Sequence, residues 1–249
     1  MWRLVVNEGT AESNMALDEA MLIMKEKKTT PSTLRLYTFT PSAVTIGYFQ
    51  KINEVVDLDF AREEGIPIIR RITGGGAVFH DEYGEITYSV TSTTDYFSSD
   101  VQESYREICR GLVYTLEEFG VKAKFEPIND VTVGGKKISG SAQIRRGRAI
   151  LQHGTFMYNT DIPKLGRLFK VPKEKLIAHG ANTIFDRVTT LTREVGRTVT
   201  KEEVIDALKR GFSKAFNSDI MVDRVLDEEL DLAKTIEEKY KSQAWNYRR

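Results

Sequence analysis

A glycine triplet set between two β-like runs constrains this chain more than any other feature. Arg70–Asp81 reads RRITGGGAVFHD. Two arginines, Arg70 and Arg71, close a run from Ile66 to Thr73. Gly74, Gly75 and Gly76 follow, before an apolar restart at Ala77, Val78 and Phe79. Without Cβ atoms the three glycines accept positive φ and let a ligand lie against bare backbone. Successive N–H groups in such a turn make a concave anion-binding nest, and the two guanidinium groups add positive charge with a fork suited to phosphate. The same string also reads as a tight hairpin corner with two solvated arginines.

A second segment shifts the balance toward a ligand site. Asn129–Tyr158, NDVTVGGKKISGSAQIRRGRAILQHGTFMY, repeats with the period of two that marks strands. On strict alternation Lys137, Ser139, Ser141 and Gln143 share one face, and Ile138, Gly140, Ala142 and Ile144 share the other. Gly134-Gly135 predicts a turn before this strand and Arg146-Gly147 one after it. The strand that follows carries His153. Gly140 inside a strand marks close approach by a ligand or another backbone. Lys136 has the opposite parity to Lys137 and is expected to be an ordinary exposed lysine. The competing reading of the segment is a solvent-facing hairpin.

The rest of the chain supplies helices at both ends and between the strands. Asn14–Lys28 is amphipathic, and Leu34–Thr38 and Ala43–Gly47 are strand candidates. Asp57–Gly65 predicts a short helix, and Glu85–Thr91 a returning strand. Asp100 caps a helix to Phe119 that Gly120 ends, and Thr200 with Glu203 opens another to Phe216. A last helix is expected from Leu226 to Tyr240. This pattern predicts an α+β fold with a mixed, mostly antiparallel sheet and flanking helices.

Composition excludes several classes. Lys plus Arg and Asp plus Glu both number 36, for a formal net charge of zero. Non-specific nucleic-acid binding therefore has no global electrostatic basis, and Arg145, Arg146 and Arg148 read as a solvated basic turn. Cys109 is the single cysteine, so neither an internal disulfide nor a cysteine-based metal site can form. The histidines are not clustered as a catalytic zinc site requires. No apolar run approaches about eighteen residues and no signal-peptide pattern opens the chain. A cytoplasmic enzyme with no nucleic-acid or membrane partner is expected.

The segments RRITGGGAVFHD, NDVTV, GGKKISGSAQ, LQHGTFMYNTD and RVTTLTR, in this order, resemble the catalytic domain of the lipoate–protein ligase A family. NMALDEAM, PSAVTIGYFQ and KYKSQAWN extend the resemblance over nearly the whole chain, so residues 1–249 are expected to form one catalytic domain with the fold shared by lipoate and biotin ligases. The resemblance implies activation of lipoate with ATP and Mg²⁺ to lipoyl-AMP. The acyl group then passes to a lysine of a lipoyl domain, that of a 2-oxoacid dehydrogenase E2 or of the glycine cleavage H protein. It implies that Lys137 is the catalytic cation, near both the α-phosphate and the acyl carbonyl. By the same correspondence Arg71 and the backbone from Gly76 through Phe79 match the family's ATP-binding loop, with Gly74 and Gly75 expected in the adjoining nest and Arg70 in the same anionic pocket. Asn129 and Asp130 match the family's ND step near the nucleotide, where Asp130 holds Mg²⁺ or the adenylate, or else opens the strand as an Asx turn. His153 falls in the HG step next to Lys137, as a site residue or as one satisfied by neighbouring backbone. His80 is expected to brace the glycine loop, and His179 is given no role. Val44, Ile46, Tyr48 and Phe79 are candidates for an apolar slot for the lipoyl tail, and Trp2 and Trp245 for capping the fold.

Long members of the family carry an accessory domain after the WN step, whereas Trp245-Asn246 is followed here by three residues. Either a separate accessory protein supplies that domain and assists adenylation, or the chain performs only the transfer half on its own; the intact lysine and glycine loop favour the first. Two rival readings remain: an acyltransferase moving octanoyl from acyl carrier protein, or a non-catalytic lipoyl-binding subunit. The first needs a cysteine nucleophile, and Cys109 sits inside a predicted helix, outside every motif.

Overall fold

In a computed structural model, which describes residues 2–27, 30–170 and 186–248, the alternating segments build two sheets. The strands are β1 (Trp2–Gly9), β2 (Ser32–Phe39), β3 (Ala43–Ile46), β4 (Ile68–Arg70), β5 (Val78–His80), β6 (Glu85–Thr93), β7 (Ala123–Glu126), β8 (Asp130–Val133), β9 (Lys136–Arg146), β10 (Ala149–Met157) and β11 (Ile220–Val222). The larger sheet runs β11-β1-β2-β6-β10-β9-β8-β7, parallel where β1 meets β11 and β2 and antiparallel elsewhere. The smaller runs β4-β3-β5. The fold is α+β with a mixed, mostly antiparallel sheet and flanking helices, as expected.

Helix ends follow local capping chemistry. The first helix, α1 (Ala11–Glu26), begins earlier than its apolar periodicity suggests, because Thr10 caps the Ser13 N–H. Asn14 is instead buried, donating to the carbonyls of Gly9 and Thr38. Short helices α2 (Ile52–Val55) and α3 (Leu58–Glu63) follow, with Asp57 capping α3. In α4 (Val101–Glu118) Asp100 accepts from the Glu103 N–H at 2.8 Å, and Gly120 closes the helix at φ +72°. After α5 (Ile162–Leu168), the Lys201–Phe216 helix opens on the expected Thr200–Glu203 capping box, and the Asp227–Lys241 helix comes last but one.

Helix α4 and the Lys201–Phe216 helix cover one face of the large sheet, where Leu34, Leu36, Tyr88 and Val90 meet Ile108, Leu112, Leu208 and Phe212. Trp2 is part of this core, stacked on Phe216 with ring centroids 4.4 Å apart, rather than a cap. Trp245 does close the fold, its indole N–H donating to the Arg70 carbonyl at 2.7 Å. The opposite face carries α1 and the small sheet. Between the small sheet and β8–β10 lies the main cavity.

Candidate active site

Adjacent residues on an extended backbone point to opposite sides, and this separates the two arginines. Arg71 enters the cavity wall. Arg70 turns away, fully buried, and its guanidinium donates to the carbonyls of Tyr48 and Gln50 at 2.9 and 2.6 Å and of Asn246 and Arg248 at 3.0 and 2.7 Å. The expectation that Arg70 joins the anionic pocket is therefore corrected: it ties the Gln243–Asn246 helix to the segment after β3. Arg71 does line the cavity, yet it makes no free fork. Its Nε donates to Thr73 Oγ1 at 2.9 Å, Nη1 to the Thr45 carbonyl at 3.2 Å, and Nη2 to the carbonyls of Gly74 and Gly76 at 2.6 and 2.8 Å. Burial pushes its pKa down to about 10, so it stays cationic at neutral pH.

Of the three glycines only Gly75 takes a positive φ, +89°. Close approach matters as much as freedom here, since a Cβ on Gly47 would lie 2.0 Å from the Gly75 carbonyl oxygen. Gly75, Gly76, Ala77, Val78 and Phe79 line the cavity, whereas Gly74 faces a shallower groove beside Tyr48, Phe49 and Trp245. Among the described residues, the N–H groups of Gly75, Gly76 and Ala77 meet no protein acceptor.

Lys137 stands on the same cavity. Its Nζ lies 2.8 Å from Asp130 Oδ1, and the two side chains are 37% and 33% exposed. A Cβ on Gly140 would fall 2.3 Å from Nζ, so the missing side chain is the space the lysine occupies. Strict alternation fails here. Thr132 faces Lys137 but Val131 faces Ser139, a β-bulge that gives β9 an extra residue. Lys137 therefore shares the cavity with Gly140 and Ala142, not a face with Ser139 and Gln143. Gln143 bonds Ser104 of α4 at 3.1 Å, and the Ser141 hydroxyl, although Ser141 touches the cavity edge, lies 2.7 Å from the Tyr88 hydroxyl. Lys136 is exposed, as expected. Asn129 lines the cavity and anchors β9 by donating to the Ser141 carbonyl at 2.6 Å. Asp130 opens β8 as a strand residue, ion-paired rather than in a local turn. Among the described residues no cluster of three or more metal-ligating side chains occurs. One carboxylate still suits Mg²⁺ carried on phosphates, which uses few protein ligands.

His153 lines the cavity and is satisfied by side chains, Asp18 Oδ2 at 2.9 Å and Thr73 Oγ1 at 2.8 Å, not by neighbouring backbone. His80 lies on the cavity wall, stacked on Phe39 and near Thr45 Oγ1 at 3.0 Å and Thr87 Oγ1 at 3.1 Å. Burial holds its pKa well below the usual imidazole range, with the Arg71 charge adding to the effect. His179 lies outside the described residues. Of the slot candidates, Phe79 lines the cavity, Val44 and Ile46 are buried in the core of the small sheet, and Tyr48 sits in the outer groove under Arg248. The apolar wall is made instead by Phe79, Met157, Leu165, Phe169 and Val188. Of these only Phe79 was anticipated: Met157 and Val188 lie in the LQHGTFMYNTD and RVTTLTR segments, and Leu165 and Phe169 lie outside every quoted segment. The cavity volume of about 560 Å³ is that of a small-molecule site.

Residues 10–213 match the family model described as the lipoyl protein ligase A/B catalytic domain. The chain belongs to this family. An octanoyltransferase LipM of Symbiobacterium thermophilum is 36% identical, over all of this chain and 98% of its own. A chain from the structure of a bi-partite lipoate protein ligase and its E2 lipoyl domain from Thermoplasma acidophilum is 34% identical with a TM-score of 0.85, over 98% of this chain and 95% of that one. A lipoate–protein ligase A crystallised with ATP is 32% identical with a TM-score of 0.85, over 98% of both chains. As a member of the lipoyl ligase A/B family, the protein is an enzyme of the lipoate ligase and transferase group.

The family therefore includes both ligases and transferases, and the thiol bears on the choice between them. Cys109 is fully buried in α4, on the far side of the sheet from Lys137, and does not line the cavity. Its Sγ lies 3.5 Å from Gln152 Nε2 and 3.6 Å from Ser141 Oγ, and burial pushes its pKa up to about 11. No helix of the described residues is long and apolar enough to cross a membrane.

Proposed function

We propose that this chain activates lipoate with ATP and passes the lipoyl group from the adenylate to a lysine of a lipoyl domain, on a 2-oxoacid dehydrogenase E2 or the glycine cleavage H protein. The observation that carries this reading is the division of groups across the sheet: the cavity holds Lys137 and the glycine loop, while the chain's one thiol is buried behind it. In the first step a carboxylate oxygen attacks the α-phosphorus and pyrophosphate leaves. In the second the acceptor amine attacks the carbonyl carbon, AMP leaves, and the amine gives up a proton. Both transition states gather negative charge that a fixed cation stabilises. Lys137 is that cation, released from Asp130 as substrate enters. The Gly75–Phe79 backbone contacts the nucleotide phosphates. Asp130 would take Mg²⁺ bound with ATP, which would neutralise phosphate charge. The ATP-bound relative supports the nucleotide, and the bi-partite ligase supports a separate accessory subunit for the activation step. An ATP-using enzyme of this kind would work in the cytoplasm.

The names of the curated relatives favour a second reading, octanoyl transfer from acyl carrier protein. Without a thiol in the cavity, the acyl group would pass directly from the carrier thioester to the acceptor lysine, with the carrier thiol leaving. Purified chain should be given a lipoyl domain with either lipoyl-adenylate or octanoyl-acyl carrier protein, and lipoate-dependent ATP–pyrophosphate exchange measured with and without the accessory subunit. Transfer from the adenylate and exchange restored by that subunit are expected. Robust octanoyl transfer without ATP, and none from the adenylate, would overturn the ligase reading.

A further inference from the structure

Behind the glycine loop runs a hydrogen-bonded chain that links it to a carboxylate far away in sequence. Asp18 is buried, and its carboxylate accepts from Arg35 Nη1 and from the Tyr37 hydroxyl, each at 2.8 Å. Burial opposes its ionisation, but the His153 hydrogen bond and the Arg35 charge outweigh it and hold the pKa below the usual range. An ionised carboxylate only accepts, so the His153 nitrogen facing it, Nδ1, carries the proton. On the other side of the ring, Thr73 Oγ1 already accepts from Arg71 Nε at 2.9 Å. The same hydroxyl oxygen lies 2.8 Å from His153 Nε2. The contacts run without a break from Arg71 through Thr73 and His153 to Asp18. Their near end is the guanidinium that grips the carbonyls on either side of Gly75.

The order carboxylate, imidazole, hydroxyl is also that of a hydrolase triad. Thr73 does not suit a nucleophile, because it is buried, lies outside the cavity lining and has its oxygen engaged by Arg71. We propose that Asp18 and His153 are positioning residues that act through Thr73 to orient Arg71, which in turn holds the glycine loop in its ligand-accepting shape. The proposal rests on the reading of this loop as the nucleotide-contacting wall.

Thr73 is the cleanest probe, since of the four residues named it and Asp18 alone do not line the cavity, and its hydroxyl can be removed at nearly constant volume. Thr73→Val removes the hydroxyl at similar volume and Thr73→Ser keeps it. Amide hydrogen exchange over residues 70–80 of the full chain should be measured for both, and for Asp18→Asn. KM and kcat should be measured alongside, for transfer from preformed lipoyl-adenylate to a lipoyl domain. Loop exchange is expected to rise about tenfold or more in Thr73→Val and Asp18→Asn, the order of effect of unpairing a buried polar group. Protection of α4 should persist, KM for the adenylate should rise by a similar factor with kcat little changed, and Thr73→Ser should restore both. Unchanged loop exchange in a folded Thr73→Val chain would overturn the proposal. So would loss of protection throughout the chain, which would mark the hydroxyl as purely structural. A wild-type chain that accepts no adenylate would overturn the ligase reading, and the exchange measurement would still decide this one.

Discussion

The two faces of β9 and β10 are built from similar small and polar residues, yet they have opposite fates. On one face Lys137, Gly140, Ala142 and His153 open onto a cavity. On the other, Cys109, Tyr88, Ser141 and Gln152 satisfy one another beneath α4, with the Gln152 amide 2.9 Å from the Tyr88 hydroxyl. Burying polar groups is tolerable where each finds a partner, so the second cluster is accounted for by packing alone. Chemistry belongs where a charged group meets empty space lined by backbone donors. Residue type along a strand does not separate a site from a satisfied core, whereas access does.

Lys137→Ala should lower transfer from lipoyl-adenylate by about 10²–10³-fold, the usual effect of losing one preorganised charge contact, with the melting temperature unchanged. Wild-type rates in this variant would remove the cavity face from the mechanism. Gly140→Ala tests whether the lysine needs the empty space beside it. The new methyl would meet the flexible end of Lys137 rather than backbone, so the fold should hold while misplacement of the ammonium slows transfer by roughly 10- to 100-fold. Full activity would show that Lys137 works from another rotamer.

On the helix face Cys109→Ser should keep most activity, with at most a small loss of stability on thermal melting. With its pKa raised to about 11, the thiol stays protonated near neutral pH and becomes the reactive thiolate only as pH climbs toward that value. Iodoacetamide should therefore leave Cys109 of the folded protein largely unmodified at pH 7.5. Rapid alkylation with loss of octanoyl transfer would move the chemistry to this face. The smallest effect is expected for Lys136→Ala, an exposed neighbour of Lys137, with stability within about 0.5 kcal/mol of wild type. Damage equal to that of Lys137→Ala would undo the assignment of faces.

Much of the fold was legible because its signals are local. Asp100, Thr200 and Asp57 cap helices where their spacing to the following amides predicts, and period-two runs became β2, β6, β9 and β10. Strand β1 was not read from the sequence, where no turn signal or motif marks the Trp2–Gly9 run. In the site, Lys137, Asp130, Asn129, His153 and the backbone from Gly75 to Phe79 all reach the cavity. Asp18 and Thr73 were missed although both lie inside quoted segments, NMALDEAM and RRITGGGAVFHD, because what links them is His153, 135 and 80 positions away.

By itself the sequence determined the family, the helix caps, the glycine loop and the fact that any thiol chemistry must use Cys109. Each of these rests on residue identity, or on bonds that span only a few positions. Tertiary structure alone decided that Arg70 is a buried tie and Arg71 a cavity wall, that a bulge places Lys137 beside Gly140, and that His153 answers to Asp18, 135 positions earlier. Those outcomes depend on which distant carbonyl or carboxylate the fold brings within about 3 Å, the reach of a hydrogen bond, and no local pattern encodes that distance.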